Sequence, residues 1–165
     1  MKRRFGIVVV MAAAAMAFAA PVSGGPSWGP ATPNFNLEVI LRPLANGPDN
    51  GFGLVTFRQP KDAFTVIDLG VWVRDLTPSH SYKLQRATDT TVNDDCTGTN
   101  WLILGQGLVP QAITTDDKGT GRADLFRGLP AALLGTQFDI HFRVIDAVTA
   151  AVVLESACYQ FTVSQ

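Results

Sequence analysis

Residues 65–74 read TVIDLGVWVR. Within them, apolar side chains recur at every second position, at Ile67, Leu69, Val71 and Val73. Because successive side chains of a β-strand point to opposite sides, these four lie on one face of an extended chain. Asp68, Gly70, Trp72 and Arg74 fall on the other face. The pattern predicts a half-buried β-strand with one apolar face.

The same alternation recurs along the rest of the chain. Nine further segments show it: 35–42, 53–57, 82–86, 101–104, 111–115, 121–126, 138–146, 152–156 and 159–163. Turn-forming residues separate them at 46–51, at 77–79 and at 116–119, the last of which predicts a hairpin. Many short strands separated by turns predict an all-β fold, namely an antiparallel, immunoglobulin-like β-sandwich of eight or nine strands.

The N-terminus has the parts of a secretory signal peptide. Three basic residues at 2–4 precede an apolar run over 5–20, and Ala17 and Ala19 have the small-residue spacing of a cleavage site. The run is shorter than the roughly 20 residues that a membrane-spanning helix needs. We therefore predict a signal peptide at 1–19 cleaved after Ala19, with cleavage after Gly24 or a retained anchor as alternatives.

The remaining chain divides into a leader and one domain. Residues 20–34 are rich in Pro, Gly and Ser without apolar periodicity, which predicts a flexible leader. Residues 35–165 then form a single β-sandwich domain. Cleavage removes three of the 13 Lys and Arg and none of the 14 Asp and Glu, so the net charge changes from −1 to −4. This acidic balance argues against nucleic acid and anionic membranes as partners.

Three separated features resemble the Cu/Zn superoxide dismutases and the related chordin-type domains. Residues 53–57, GLVTF, are similar to that family's early G-x-V-x-F strand, and residues 75–78, DLTP, to its G-L-x-P turn. Cys96 and Cys158 resemble the family's cysteines in the loop after the first metal-ligand strand and in the last strand. The resemblance implies a superoxide-dismutase-like β-sandwich with a disulfide between these two cysteines.

The family's metal ligands do not carry over to this chain. Where the family has an H-x-H pair of copper ligands, this sequence has Leu84 and Arg86, and Glu155 lies near the place of the family's anion-guiding arginine. The chain holds only two histidines, His80 and His141, which are too few for a copper and a zinc shell. We therefore expect no metal, no cofactor and no catalytic residues.

The cysteine count independently predicts the same disulfide. An exported chain meets an oxidising compartment, and two cysteines allow a single intrachain pairing, Cys96 with Cys158. The bridge would hold the polar loop 87–100 against the outside or the edge of the sheet, without crossing the core.

The remaining polar residues are predicted to be structural. His80 lies in a turn and is expected to be solvated, while His141 shares a strand face with Asp139 and Arg143 and predicts a charge ladder. The acidic runs lack the D-x-D-x-D-G order of a calcium loop and predict solvated turns. The sequence holds no G-x-S-x-G, H-E-x-x-H or phosphate-binding loop motif.

Trp72 is the least explained side chain. An indole on the outer face of its strand predicts a surface for a partner or ligand, formed by Trp72 and Arg74. The alternatives are that the leader or a loop covers the indole, or that Arg74 stacks on it. Trp101, just after the Cys96 loop, is predicted to lie in the core or to anchor the loop.

Together these features predict a non-catalytic domain that is secreted or periplasmic. It would bind a small molecule, a cell-envelope component or a protein partner, without a membrane span after cleavage. One alternative is an enzyme or metal carrier of the superoxide dismutase class, and another is a structural envelope protein.

Overall fold

The computed structural model of the chain describes residues 36–45, 47–59 and 66–163. The predicted signal peptide at 1–19 and leader at 20–34 lie outside these residues. Within them the fold is all-β, as the alternation predicts, with a single 3-10 turn at Ala131–Leu133. The strands are β1 (Asn36–Pro43), β2 (Phe52–Arg58), β3 (Val66–Arg74), β4 (Ser81–Asp89), β5 (Leu102–Ile103), β6 (Gly105–Gln106), β7 (Val109–Pro110), β8 (Ile113–Thr114), β9 (Gly121–Gly128), β10 (Gln137–Asp146), β11 (Val152–Ser156) and β12 (Tyr159–Thr162).

The described strands belong to one sheet that is nearly closed into a barrel. Its order is β5-β4-β10-β11-β1-β2-β3-β9-β6-β7, with β12 beside β10 and β8 beside β4. Two short segments link β4 to β9. At one end β5 pairs with β4 and β6 pairs with β9, while at the other β8 pairs with β4 and Thr115 bridges to Gly121. A two-sheet sandwich of eight or nine strands therefore remains a prediction.

The inner faces of the strands supply one apolar core. In β3 the alternating residues Ile67, Leu69, Val71 and Val73 are all buried, which confirms the predicted face. Phe57 packs against two other aromatic rings of this core. Its ring centroid lies 4.6 Å from that of Phe161 and 6.1 Å from that of Phe142. Edge-to-face rings of this kind add to the free energy gained from burying their area.

The turn between β8 and β9 is the hairpin that the sequence predicts. Asp116 Oδ1 accepts the backbone N–H groups of Lys118 and Thr120 at 2.9 and 2.8 Å. Gly119 adopts a φ of 75°, a left-handed conformation that favours glycine, and a side chain there would run into the backbone of Leu76. The turn is therefore fixed both by its side chains and by its glycine.

The prediction that His80 is simply solvated is wrong. Its Nε2 lies 2.6 Å from Asp146 Oδ2, and its side chain is 30% exposed. The imidazole also packs edge-on to Tyr82, with ring centroids 5.1 Å apart. Asp146 is the last residue of β10, so this contact ties the start of β4 to the end of β10. Sequence spacing alone gives no signal for a pair that is 66 residues apart.

Asp146→Asn is expected to lower the stability of the protein at neutral pH, and this loss of stability is expected to become smaller in acid. Asp146 Oδ1 accepts the N–H groups of Val148 and Thr149, and these hydrogen bonds together with His80 lower the pKa of the carboxyl from 3.8 to about 2. A carboxyl with a depressed folded-state pKa adds stability above its unfolded pKa and loses it as the pH falls.

The stability difference between wild type and Asp146→Asn should therefore be present at about pH 4 and above and shrink between about pH 4 and pH 2. Urea unfolding at several pH values measures it. Asp117→Asn makes the same change of charge at an exposed position in another turn and serves as the control. A difference that stays unchanged down to pH 2 would contradict the role given to the ionised carboxylate.

Candidate ligand pocket at one end of the barrel

A cavity of about 190 Å³ lies at the barrel end where β2, β4 and β9 finish and β3 and β10 begin. Apolar side chains form most of its wall. They are Phe57, Ile67, Leu69, Leu104, Leu129, Leu133, Phe138, Ile140 and Phe142. Three threonines, Thr88, Thr90 and Thr136, and two arginines complete the lining. An apolar concavity with a few polar groups is the usual form of a small-molecule site.

The two arginines, Arg86 and Arg127, lie on the inner face of the sheet. Arg86 stands opposite Phe142 in the register of β4 and β10, and Arg127 stands opposite Ile67 in the register of β9 and β3. Residues that are directly opposite in antiparallel strands share a face. Since Phe142 and Ile67 belong to the core, both arginines extend inward from positions where an apolar side chain is expected.

Each arginine has one hydrogen-bond acceptor among the described residues. Arg86 Nη1 donates to Thr88 Oγ1 at 3.2 Å. Arg127 Nη1 donates to the carbonyl oxygen of Gly107 at 3.1 Å. A guanidinium group carries five N–H donors, so most of the donors on both groups remain available to a ligand.

Sequence reasoning did not find this pocket. In the sequence, Arg86 stands out only as the residue in place of a family histidine, and Arg127 does not stand out. The available signal was the alternation itself. Arg86 continues the inward series of Tyr82 and Leu84, and Arg127 continues that of Ala123 and Leu125. A charged residue at an inward position of an alternating strand therefore indicates a site, just as an aromatic residue such as Trp72 does at an outward position.

The predicted partner surface, Trp72 with Arg74, lies on the outer face of β3. Trp72 is half-buried, because its ring packs edge-on to Phe52 with centroids 5.9 Å apart. The guanidinium carbon of Arg74 lies 6.0 Å from the Trp72 ring and 5.2 Å from the Phe52 ring. Arg42 approaches Phe52 at 5.1 Å from the neighbouring strand. Arg74 therefore packs against the indole, and a partner on this face remains a prediction.

A second depression, of about 530 Å³, crosses the outer face of β2, β3 and β9. Gly70 lies at its floor, and its rim carries Asp68, Asp124 and Arg58. This groove is larger than the barrel-end cavity, but it is an open, charged surface where water already solvates the polar groups. The barrel-end cavity is deeper and more apolar, so it removes more of a ligand's apolar surface from water, and we place the candidate site there.

Cys96 and Cys158 form a disulfide, as predicted, with their Cα atoms 5.4 Å apart. Cys158 lies between β11 and β12, and Cys96 lies in the polar loop that follows β4. The bridge fixes this loop over the outer face of β4 and β10. No described helix is long and apolar enough to cross a membrane.

The strand face beneath this loop does not form the charge ladder that was predicted. Asp139 Oδ2 accepts the backbone N–H of Asn93 at 2.9 Å, and Asp139 is fully buried. The ring of His141 lies 4.5 Å from that of Trp101, and the guanidinium carbon of Arg143 lies 3.8 Å from the centroid of the Trp101 ring. The three side chains share a face, but each holds the loop, because Trp101 anchors it between His141 and Arg143.

Among residues 36–45, 47–59 and 66–163, no group of three or more His, Cys, Asp or Glu side chains is arranged to hold a metal ion. No protein-family model, curated protein or solved structure matches this chain. The arrangement of its own residues therefore carries the functional argument.

Proposed function

We propose that the protein is a non-catalytic exported domain that binds a small molecule with an apolar body in the barrel-end pocket. The observation that carries the proposal is the concave, mainly apolar wall, because a ligand that packs against it removes apolar surface from water. Most of the lining residues lie on paired strands of the sheet, which hold those side chains in place without a ligand.

Two features support export. The disulfide is typical of compartments outside the cytoplasm. The basic, apolar and small-residue segments at 1–19 have the order of a signal peptide. Secretion to the medium or retention in the periplasm are both consistent with these features.

The superoxide-dismutase-like sandwich remains a proposal about the fold. Its support is the strand order, because β3 pairs with β9 while β4, the next strand in the chain, pairs with β10 on the far side of the sheet. A long connection between strands that are not neighbours in the sheet is typical of Greek-key sandwiches. The outer aromatic and arginine residues around Trp72 are a second candidate contact surface, for an envelope component or a protein partner.

Benzyl alcohol, a neutral molecule with one ring, is expected to bind in the pocket. In a titration of ¹⁵N-labelled protein, the amide resonances that shift should belong to the pocket wall, including those of Ile67, Thr88 and Phe138. Leu129→Trp places a large side chain in the wall and is expected to weaken binding at least tenfold, because it occupies the volume that the ring needs.

Leu108→Trp is the matched control. Leu108 is 80% exposed in the turn between β6 and β7, so an indole there leaves the cavity open. Binding to this variant should equal binding to wild type. Shifts confined to the outer face of β2, β3 and β9, or the absence of pocket shifts with millimolar benzyl alcohol and with millimolar benzoate alike, would refute the proposed site.

A further inference from the structure

Among the described residues, the lining of the pocket carries only positive charge. Arg86 and Arg127 both contribute to its lining, and no Asp or Glu does so among the described residues. Neither arginine forms an ion pair with another described residue. Arginine stays protonated at neutral pH, so two positive charges face a mainly apolar cavity.

This arrangement lowers the stability of the ligand-free protein. Moving a charged group from water into an apolar environment is unfavourable unless an opposite charge or hydrogen bonds compensate for the lost hydration. Burial lowers the pKa of Arg86, and the positive charge of Arg127 lowers it further. Among the described residues, no carboxylate lies within ion-pair distance of either guanidinium group. A bound anion would remove the imbalance.

The shape of the site limits the anion. An engineered cavity of about 150 Å³ holds one benzene molecule, so about 190 Å³ accommodates a body of one aromatic ring, or an aliphatic body of similar size, with a small polar head. A planar carboxylate matches the fork of a guanidinium group and can accept two N–H donors from it. It also carries one negative charge, which costs less to desolvate than a phosphate dianion.

We propose that the barrel-end pocket selects a small carboxylate, with its apolar body against Phe57, Phe138 and Phe142 and its carboxylate paired with Arg86 and Arg127. This inference rests on the proposed function and adds the chemical class of the ligand. The threonine hydroxyls of Thr88 and Thr136 at the wall supply further donors to the carboxylate oxygens.

Three probes with the same ring test the headgroup on the wild-type protein with its disulfide intact. They are benzoate, benzyl alcohol and benzylamine, which are anionic, neutral and cationic at pH 7. Benzoate is expected to bind at least about tenfold more tightly than benzyl alcohol, and benzylamine more weakly than either, because an ion pair in a low-dielectric site is strongly favourable and a like charge is not. The comparison requires no variant, so it does not depend on the folding of a mutant.

Arg86→Met and Arg127→Met then test the assigned partners. Each is expected to weaken benzoate binding about tenfold or more and to leave benzyl alcohol binding within about twofold of wild type, because methionine keeps an apolar side chain of similar length. Arg122→Met, on the exposed outer face of β9, is the control and should bind all three probes as wild type does.

The outcomes separate the two proposals. If benzyl alcohol binds in the pocket and benzoate binds no better, or benzylamine binds as well as benzoate, the carboxylate inference is overturned and the proposed function stands. If neither benzyl alcohol nor benzoate shifts the pocket resonances, the proposed function fails with it. Equal loss of benzoate binding in Arg122→Met and Arg86→Met would overturn the assignment of the arginines.

Discussion

Reduction of the Cys96–Cys158 disulfide is expected to lower the free energy of unfolding by about 4 kcal/mol. The bridge joins residues 62 positions apart. In the chain-entropy estimate, closing a loop of this length restricts the unfolded chain by about that amount at 25 °C. Because a domain is stable by only about 5–15 kcal/mol, this loss is a large share of the total. Urea unfolding with and without reducing agent measures it.

The variant Cys96→Ser with Cys158→Ser provides the control. It should unfold at the same urea concentration with and without reducing agent, and at the concentration found for the reduced wild type. The loop between β4 and β5 should also become more accessible to proteolysis, since the bridge fixes it over β4 and β10. A change below about 1 kcal/mol on reduction would contradict the expectation.

Phe142→Ala is expected to destabilise the domain by about 3–5 kcal/mol. Phe142 is fully buried, with its ring 6.1 Å from that of Phe57. Removing a buried aromatic ring loses its transfer free energy and leaves a cavity that the rigid strands fill only partly. The cost should be near the upper end of this range, because β10 pairs with β4 on one side and with β11 and β12 on the other.

Phe126→Ala is the matched control for this substitution. The ring of Phe126 is 39% exposed on the outer face of β9, so its removal should change the stability by about 0.5 kcal/mol. Urea unfolding of both variants gives the comparison. If the two variants lost a similar free energy of unfolding, burial inside the barrel would not explain the effect of Phe142→Ala. That result would contradict the core described above.

The strands were the part of the fold that the sequence predicts well. Alternation gave β11 with the bounds observed and β3 to within one residue at its start. The signal is strong there because one face is buried and the other is solvated, and the period of a strand then appears directly in hydropathy. The pairing of Cys96 with Cys158 was equally accessible, because two cysteines leave one choice.

The near-closure of the sheet could not be predicted from the alternation of apolar residues. The strands β6 and β7 have two residues each and are too short to show a period. Their positions depend on backbone contacts with distant segments, such as the N–H of Gly107 donating to the carbonyl oxygen of Phe126 at 3.0 Å. Such contacts are tertiary, and hydropathy along the chain carries no information about them.

The candidate site was missed for a related reason. A pocket arises where side chains from several strands fail to fill the space between them, and the nine apolar residues of this wall come from separate parts of the chain. Arg86 was visible as an inward position in sequence, but its meaning depends on Arg127, which only the barrel brings near. The roles of His80 and His141 likewise depend on Asp146 and Trp101.

The short strands that complete the barrel have a consequence for the protein at high concentration. The sheet path ends at β5 and β7, each of two residues, and Pro110 in β7 has no N–H to offer. An aggregating sheet grows when a free edge presents a row of unpaired backbone groups to another molecule. These two short ends therefore offer a poor template for pairing with the sheet of another molecule.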